Sequence, residues 1–178
     1  MTIEKSKTVF AGRIVTVNVE TVRLPNGHVV DLDIIHHPGG AAIAAVDAQR
    51  RVCLIHQYRH AADGWIWELP AGKLEPQEPP EHTARRELME EAGASAQSWM
   101  SLGTYVSSPG VFTEIVHLYL ARELESVKMS HEAGELIEVH WIDLEEACTR
   151  ALDGRISDGK TALGLLRARA VLERSQGP

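Results

Sequence analysis

The sequence has little cysteine and no excess of positive charge. Only two of its 178 residues are cysteines, Cys53 and Cys148, and they form no CxxC pair. This argues against a disulfide framework and against a zinc–thiolate site. The formal net charge is -7 at pH 7, whereas binding to nucleic acid needs clustered lysine and arginine that neutralise phosphates. We therefore expect buried, inert thiols and no nucleic-acid partner.

The chain also lacks long apolar runs. Its start, MTIEKSKTVF, has no signal-peptide core, and no stretch approaches the roughly 18 consecutive apolar residues of a transmembrane helix. The length suits one domain of ordinary size, with room for a small appendage. We expect a cytoplasmic protein with no membrane partner.

The first third of the chain predicts antiparallel strands. Apolar and polar residues alternate on both sides of Asn26-Gly27 in TVNVETVRLPNGHVVDLDII, and an Asn-Gly pair is a strong hairpin signal. The HHPGG segment at 36–40 then breaks the alternation. We predict an N-terminal antiparallel sheet in residues 1–38 and a main domain in residues 39–178.

The main domain mixes strands with helices. AAIAAV and VCLIHQYR are apolar runs joined by polar DAQRR, which predicts a second hairpin. Further strands are predicted in WIWELPAGKLE, MSLGTYVS, EIVHLYLA and LIEVHWI. Helices are predicted from near Pro80 to a C-cap at Gly93, after Asp143 and after Asp158. The pattern indicates an α+β fold, a mixed central sheet with helices on its faces.

Three carboxylates share one face of the helix that begins near Pro80. Glu87, Glu90 and Glu91 stand at positions i, i+3 and i+4. Such a cluster is often a solvated surface on which arginines and water relieve the repulsion. It can also be a site for Mg²⁺ or Mn²⁺, which prefer oxygen ligands. The spacing alone does not choose between these readings.

The residues around the cluster extend the pattern. From Gly72 the order is five residues, Glu78, seven residues, Arg-Glu-Leu, one residue, Glu-Glu, one residue and Gly-Ala. Nine such positions coincide by chance on the order of 10⁻⁹ times per starting point. The stretch resembles the Nudix box at every defining position. The Nudix hydrolases hydrolyse a nucleoside diphosphate linked to another moiety, and the resemblance implies their α/β/α sandwich.

The resemblance implies roles for the residues of the box. The backbone at Ala71 and Gly72 would lie near the metal and the substrate, where a missing side chain allows close approach. Glu78 would pair with Arg86 and hold the loop–helix–loop segment together. Arg86 is therefore grouped with the catalytic residues. Glu78 is also a further candidate metal ligand. Three carboxylates would bind Mg²⁺ or Mn²⁺: Glu87, Glu90 and Glu91.

The flanks resemble the ADP-ribose and nucleoside-diphosphate-sugar pyrophosphatases of this family. QYRHAADGWIWELPAGKLE would place Arg59 and Glu68 at the substrate, although a surface ion pair is the alternative for Arg59. In SSPGVFTE, Pro109 stands fifteen residues after Ala94, where this subgroup carries a proline. Glu114 closes the stretch at a position near the substrate or metal.

The implied reaction is the metal-dependent hydrolysis of ADP-ribose to AMP and ribose 5-phosphate. GDP-mannose or a broad range of nucleoside-diphosphate sugars is the alternative substrate, and a Nudix-fold binding module without catalysis is a further reading. The subgroup also implies a homodimer whose N-terminal sheet crosses to the second subunit. Trp65 and Trp67 fit either base stacking or packing in the core or the dimer seam.

The subgroup takes its general base from a glutamate on a loop before a late strand. ELESVKMSHEAGELIEV is that loop here. Glu135 best fits the strand-proximal position and Glu132 is second, while solvated loop acids are the alternative. The nine histidines show no HExxH spacing and no GxSxG elbow accompanies them, which argues against a metalloprotease or a serine hydrolase.

Overall fold

The computed structural model of the protein describes residues 2–130 and 136–174. Within them the chain forms an α+β fold, as the sequence predicts. The strands are β1 (Thr2–Ala11), β2 (Thr16–Arg23), β3 (Val29–His36), β4 (Gly40–Ala45), β5 (Arg51–Arg59), β6 (Gly64–Glu68), β7 (Ala71–Lys73), β8 (Ala94–Val106), β9 (Ile115–Ser126) and β10 (Ile137–Asp143); the helices are α1 (Pro80–Ala92), α2 (Leu144–Leu152) and α3 (Gly159–Arg174).

The chain divides into two compact units. The first combines Met1–Gly39 with Val106–Ile115, and the second combines Gly40–Tyr105 with Val116–Pro178. The first unit therefore includes a segment that comes much later in the sequence. Local periodicity does not reveal this, because the segment joins the unit through backbone hydrogen bonds to β3, from the Ile35 amide to Val111 O at 2.7 Å and from the Thr113 amide to Ile35 O at 2.9 Å.

In the first unit, β1, β2 and β3 form an antiparallel sheet in sequence order. The hairpin predicted at Asn26-Gly27 is confirmed as the β2–β3 connection. Of these two residues only Gly27 has a positive φ, 86°, and its amide donates to Leu24 O at 2.9 Å. Asn26 contributes its side chain instead, since its Oδ1 accepts from the His28 amide at 3.1 Å.

The second unit contains a four-stranded sheet in the order β7-β4-β9-β8 and a three-stranded sheet in the order β10-β5-β6. The four-stranded sheet is mixed, because β4 runs antiparallel to β7 and parallel to β9. The predicted hairpin between β4 and β5 is confirmed only as a short antiparallel turn. Both edges of β4 are occupied by β7 and β9, so the chain pairs with β5 just beyond β4, at the Val46–Val52 bridge and through the Asp47 amide, which donates to Arg51 O at 2.9 Å.

Strand β4 is the centre of the core of the second unit. Its six residues are all buried, which its small side chains permit. Ala41, Ile43 and Ala45 pack with Ala84 and Leu88 of α1. Successive side chains of a strand point to opposite faces, so the other residues of β4 face the second half of the core.

On that opposite face, Ala42 and Ala44 pack in a cluster with Leu54, with Leu144 of α2 and with Leu165 of α3. The strand is thus covered by α1 on one side and by α3 on the other, with α2 packed against α3, which is the expected arrangement of helices around a sheet. Among the described residues, none of the helices has the length and apolar character needed to cross a membrane.

The ends of the helices follow the sequence signals. Helix α1 has Pro80 at its start and ends at Gly93, whose φ is 60°. Helix α2 is capped by Asp143, whose side chain accepts from the amides of Glu145 and Glu146. Asp158 caps α3 by accepting from the Thr161 amide at 3.1 Å.

Both cysteines are free and buried. Burial, with a smaller contribution from the charge of Glu91, raises the pKa of Cys53 to about 12. Burial raises the pKa of Cys148 to about 11. The expectation of inert thiols is consistent with these values, because the thiolate is the reactive form.

Candidate active site

The candidate site is built from the end of β6, strand β7 and helix α1. The chain leaves β6 at Glu68, turns through Leu69-Pro70 and passes along β7 before it enters α1. Helix α1 buries Glu87, 9% exposed, and Glu91, 3% exposed. Buried carboxylates require partners, and these partners define the site.

Glu91 is tied to the loop that follows β6. The Ala71 amide donates a hydrogen bond to Glu91 Oε2 at 2.8 Å. The same loop is held to β4, because the Ile43 amide donates to Pro70 O at 2.9 Å. The structure therefore brings the Ala71 backbone and the last carboxylate of the box together.

Glu87 lies directly over Gly72. A Cβ atom added at Gly72 would collide with the carboxylate group of Glu87. Only glycine allows this approach of a carboxylate to the backbone. The glycine that opens the box is therefore required by the position of one of its glutamates.

Arg86 is the cation at the centre of the cluster. Its Nη1 donates to Glu87 Oε1 at 2.6 Å and to Glu90 Oε2 at 3.0 Å. Its Nε and Nη2 donate to the two oxygens of Glu78, at 3.3 and 3.2 Å. One guanidinium thus connects the loop before α1 with two carboxylates of the helix.

Glu78 has further donors of its own. Thr83 Oγ1 donates to it at 2.8 Å and the Glu75 amide at 3.3 Å. The hydrogen bonds from Arg86, followed in weight by those from Thr83 and Glu75, outweigh burial and lower the pKa of Glu78 to about 2. Its carboxylate is ionised at any pH near neutrality.

The donor set of the box fits a hard divalent cation. It consists of carboxylate oxygens, the ligands that Mg²⁺ and Mn²⁺ prefer, and the carboxylate of Glu87 lies against the backbone of Gly72, where another residue would have its Cβ. In the described part of the chain, no three His, Cys, Asp or Glu side chains are gathered as a ready metal cluster. Arg86, which contacts both Glu87 and Glu90, occupies part of the space between these carboxylates.

Arg59 and Glu68 form a two-point ion pair across β5 and β6. Arg59 Nε and Nη2 donate to Glu68 Oε1 and Oε2, each at 2.9 Å. The side chain of Glu68 is 2% exposed and that of Arg59 is 41% exposed. The pair is therefore not an ordinary surface salt bridge, because its acid is buried while its base keeps an accessible edge.

Lys160 is a member of this site that the sequence analysis missed. Its Nζ donates to Glu68 Oε2 at 3.0 Å and to Asp158 Oδ2 at 2.9 Å. A sequence signal existed, since a lysine in the first turn of α3 opposes the helix dipole and so needs a specific partner. Asp158 was predicted only as a helix cap, and it also binds this lysine.

Glu68 and Lys160 each favour the charged form of the other. Burial raises the pKa of Glu68, but hydrogen bonds and charge from Arg59 and Lys160 outweigh it and lower the pKa below its usual value. Burial lowers the pKa of Lys160, but the charges of Glu68 and Asp158 outweigh it and raise the pKa. Arg59, Glu68, Lys160 and Asp158 are thus joined in one continuous hydrogen-bonded network.

Trp65 and Trp67 do not line the Glu68 side of the sheet. Residues of β6 alternate between its two faces, so both tryptophans lie opposite Glu68. There they contact His56, whose ring centroid is 5.2 Å from that of Trp65 and 4.5 Å from that of Trp67. Within this unit, the tryptophans pack with a histidine and not beside the Arg59–Glu68 pair.

Two other predicted residues, Pro109 and Glu114, belong to the first unit. Glu114 Oε1 lies 3.5 Å from His37 Nδ1, and the neighbouring Thr113 Oγ1 accepts from the His37 amide at 3.0 Å. The predicted bases, Glu132 and Glu135, lie outside the residues that the structure describes.

Two family profiles match the sequence. The profile described as NUDIX domain matches residues 36–162. The profile described as Nucleoside diphosphate sugar hydrolase N-terminal domain matches residues 1–32.

Three bacterial proteins are similar over most of the chain. The ADP-ribose pyrophosphatase of Bacillus subtilis (strain 168) is 38% identical, over 92% of this chain and 89% of the relative. The Methanol dehydrogenase activator of Bacillus methanolicus is 37% identical, over 90% and 88%. The ADP-ribose pyrophosphatase of Mycobacterium tuberculosis (strain ATCC 25618 / H37Rv) is 36% identical, over 93% and 82%.

A solved structure described as "Crystal structure of ADP compounds hydrolase" is similar in fold. The TM-score is 0.84, and the match covers 98% of this chain and 95% of that chain at 20% sequence identity. At this level of identity the likeness concerns the fold, which it supports over nearly the whole chain.

Proposed function

The chain belongs to the Nudix family of hydrolases, and on this basis we propose that it hydrolyses the diphosphate bond of ADP-ribose to AMP and ribose 5-phosphate. The observation that carries the reaction type is the position of Glu87 and Glu91, which are buried against Gly72 and Ala71. The substrate is supported by relatives named ADP-ribose pyrophosphatase that match most of the chain.

Nudix hydrolases use divalent metal ions, and we propose Mg²⁺ or Mn²⁺ here. Glu87, Glu90 and Glu91 would hold the ion, with the backbone at Ala71 and Gly72 beside it. A bound ion would add positive charge at the diphosphate and lower the pKa of a water molecule. For a chain with a net charge of -7, such an ion is also the natural source of attraction for an anionic substrate.

Side chains of the protein would supply the other functions: orientation of the carboxylates, binding of phosphate and transfer of a proton. Arg86 and Glu78 hold α1 against its preceding loop, so the carboxylates keep their orientation. The accessible edge of Arg59 is suited to bind a phosphate oxygen, and Glu68 fixes that guanidinium from behind. Glu135, with Glu132 second, is proposed to accept the proton of the attacking water.

Further parts of the proposal concern the first unit. Pro109 and Glu114 are proposed as substrate-contacting residues from the register of SSPGVFTE with the box. The sheet in residues 1–38 is proposed to contact a second copy in a cytoplasmic homodimer. Sedimentation should then give twice the chain mass of 19.6 kDa, and a single-chain mass at micromolar concentration would contradict the dimer.

The function is tested with a substrate panel. Phosphatase-coupled release of phosphate is measured for ADP-ribose, GDP-mannose, UDP-glucose, NADH and dGTP, with and without Mg²⁺. We expect ADP-ribose to give the highest kcat/KM and activity to depend on the metal. Preference for GDP-mannose would move the assignment to the alternative substrate, and no turnover of any compound would favour a binding module without catalysis.

A further inference from the structure

Lys160 stands where a lysine is costly. It is the second residue of α3, at the helix end whose dipole repels cations, and its side chain is only 18% exposed. Such a position requires compensation by specific anions. The anions are Glu68 and Asp158, whose oxygens lie 3.0 and 2.9 Å from Nζ.

The contacts of Lys160 lead directly to Arg59. Glu68 Oε2 accepts from both Lys160 Nζ, at 3.0 Å, and Arg59 Nη2, at 2.9 Å. One buried carboxylate is therefore shared between two cations. Without the lysine, Arg59 alone would neutralise the negative charge of Glu68. The positive potential at the accessible edge of Arg59 would therefore decrease.

The start of α3 also holds the backbone that leads into the box. Thr161 Oγ1 accepts from the Leu69 amide at 2.8 Å and donates to Asp158 Oδ2. Two residues later the Ala71 amide binds Glu91. The side chain of Glu68 and the backbone of Leu69 are thus both fixed by α3, next to the loop that contacts the carboxylates.

We propose that Lys160 is a positioning residue for substrate binding: it shares Glu68 with Arg59, and so leaves the Arg59 guanidinium oriented and electropositive toward the diphosphate. This inference rests on the proposed function. It assigns to the first turn of α3 a part in substrate affinity, in addition to its packing.

The test compares Lys160→Gln, which keeps a hydrogen-bond donor but removes the charge, with Lys160→Arg, which keeps the charge. We expect Lys160→Gln to raise KM for ADP-ribose about tenfold, the order expected when one unit charge leaves a partly solvated site, with kcat within about threefold of wild type. Lys160→Arg should restore most of the affinity. The increase in KM should also shrink as NaCl is added.

Arg169→Gln is the matched control, because Arg169 is a cation of the same helix and, in the described part of the chain, its ion pairs are with Glu145 and Glu173. It should leave KM unchanged. If Lys160→Gln does not fold, Lys160→Met and Lys160→Arg are compared with wild type by calorimetric titration of AMP, which gives affinity without turnover.

Three results would overturn the inference. They are an unchanged KM in Lys160→Gln, a fall in kcat with constant KM, and an equal increase in KM in Arg169→Gln. Failure of the proposed function is separate, since the wild-type protein would then hydrolyse no ADP-ribose at all. Wild-type activity with an unchanged KM in the variant would reject the lysine's role alone.

Discussion

The Ala71 amide donates a hydrogen bond to Glu91 Oε2 at 2.8 Å. This contact joins the backbone after β6 to the last turn of α1, so the carboxylate is oriented by the fold before any ligand is present. The neighbouring Glu87 lies against Gly72 and accepts a hydrogen bond from Arg86 Nη1 at 2.6 Å.

Replacing Glu87 or Glu91 by glutamine should abolish most of the activity. Each change removes a negative charge from the proposed metal site, and kcat for ADP-ribose should fall by at least about 10²-fold, because several kcal/mol of charge stabilisation depend on the ion. Metal titration followed by calorimetry should show weaker binding of Mn²⁺. Glu81→Gln is the control, since Glu81 lies on the same helix but pairs with Arg85 at the surface, and wild-type kcat in Glu87→Gln would refute the site.

Gly72→Ala should reduce activity more than stability. The added Cβ displaces the end of a side chain, Glu87, and not the backbone, so the fold can adjust while the carboxylate moves away. We expect kcat to fall about tenfold or more, in keeping with the sensitivity of sites to misplacement. Gly154→Ala is the opposite control: its φ is 84° and its surroundings are open, so it should lower Tm and leave kcat unchanged. Wild-type kcat in Gly72→Ala together with a reduced kcat in Gly154→Ala would contradict the role of Gly72.

The contribution of Glu78 to stability should persist to low pH. The pKa of Glu78 is lowered from 4.5 to about 2, first by the hydrogen bond from Arg86. A carboxylate with a lowered pKa stabilises the folded state above its unfolded pKa, and this contribution is lost as the pH falls toward the folded value. Urea unfolding of wild type and Glu78→Gln should therefore give a constant difference in free energy from pH 8 to 5 that declines between pH 4.5 and 2. A difference that increases on acidification would contradict the pairing.

Glu135→Gln should lower kcat by about 10²–10⁴-fold if its carboxylate is the general base. The acidic limb of the pH–rate profile should change with it, while KM stays close to wild type. Glu132→Gln is measured in parallel as the second candidate, and Glu125→Gln, whose carboxylate binds Gln97 at 2.6 Å, serves as the control. Wild-type values of kcat in both Glu135→Gln and Glu132→Gln would show that neither glutamate is the general base.

Local signals in the sequence predicted the local structure well. The start of α1 at Pro80, its end at Gly93 and the cap at Asp143 depend on short-range backbone chemistry, and the structure confirms each of them. The pairing of Glu78 with Arg86 followed from the box, and the two side chains are in contact.

Long-range contacts were harder to predict. The strand pairing of β4 depends on which partners occupy its edges, and periodicity within β4 carries no such information. The contact of Lys160 with Glu68 joins residues 92 positions apart, and only the fold brings the first turn of α3 to the end of β6. The attachment of Val106–Ile115 to the first unit is of the same kind.

The alanine methyl groups of β4 set the distance between the layer that contains α1 and the layer that contains α3. Ala41 and Ala45 touch the layer of the carboxylate helix, whereas Ala42 and Ala44 touch the layer of the helix that carries Lys160. A larger side chain on either face would push one layer outward and change the distance between the carboxylates of α1 and the Lys160–Glu68 pair. Side chains inside the core would thereby set how far the carboxylates of α1 lie from the cations at the end of β6.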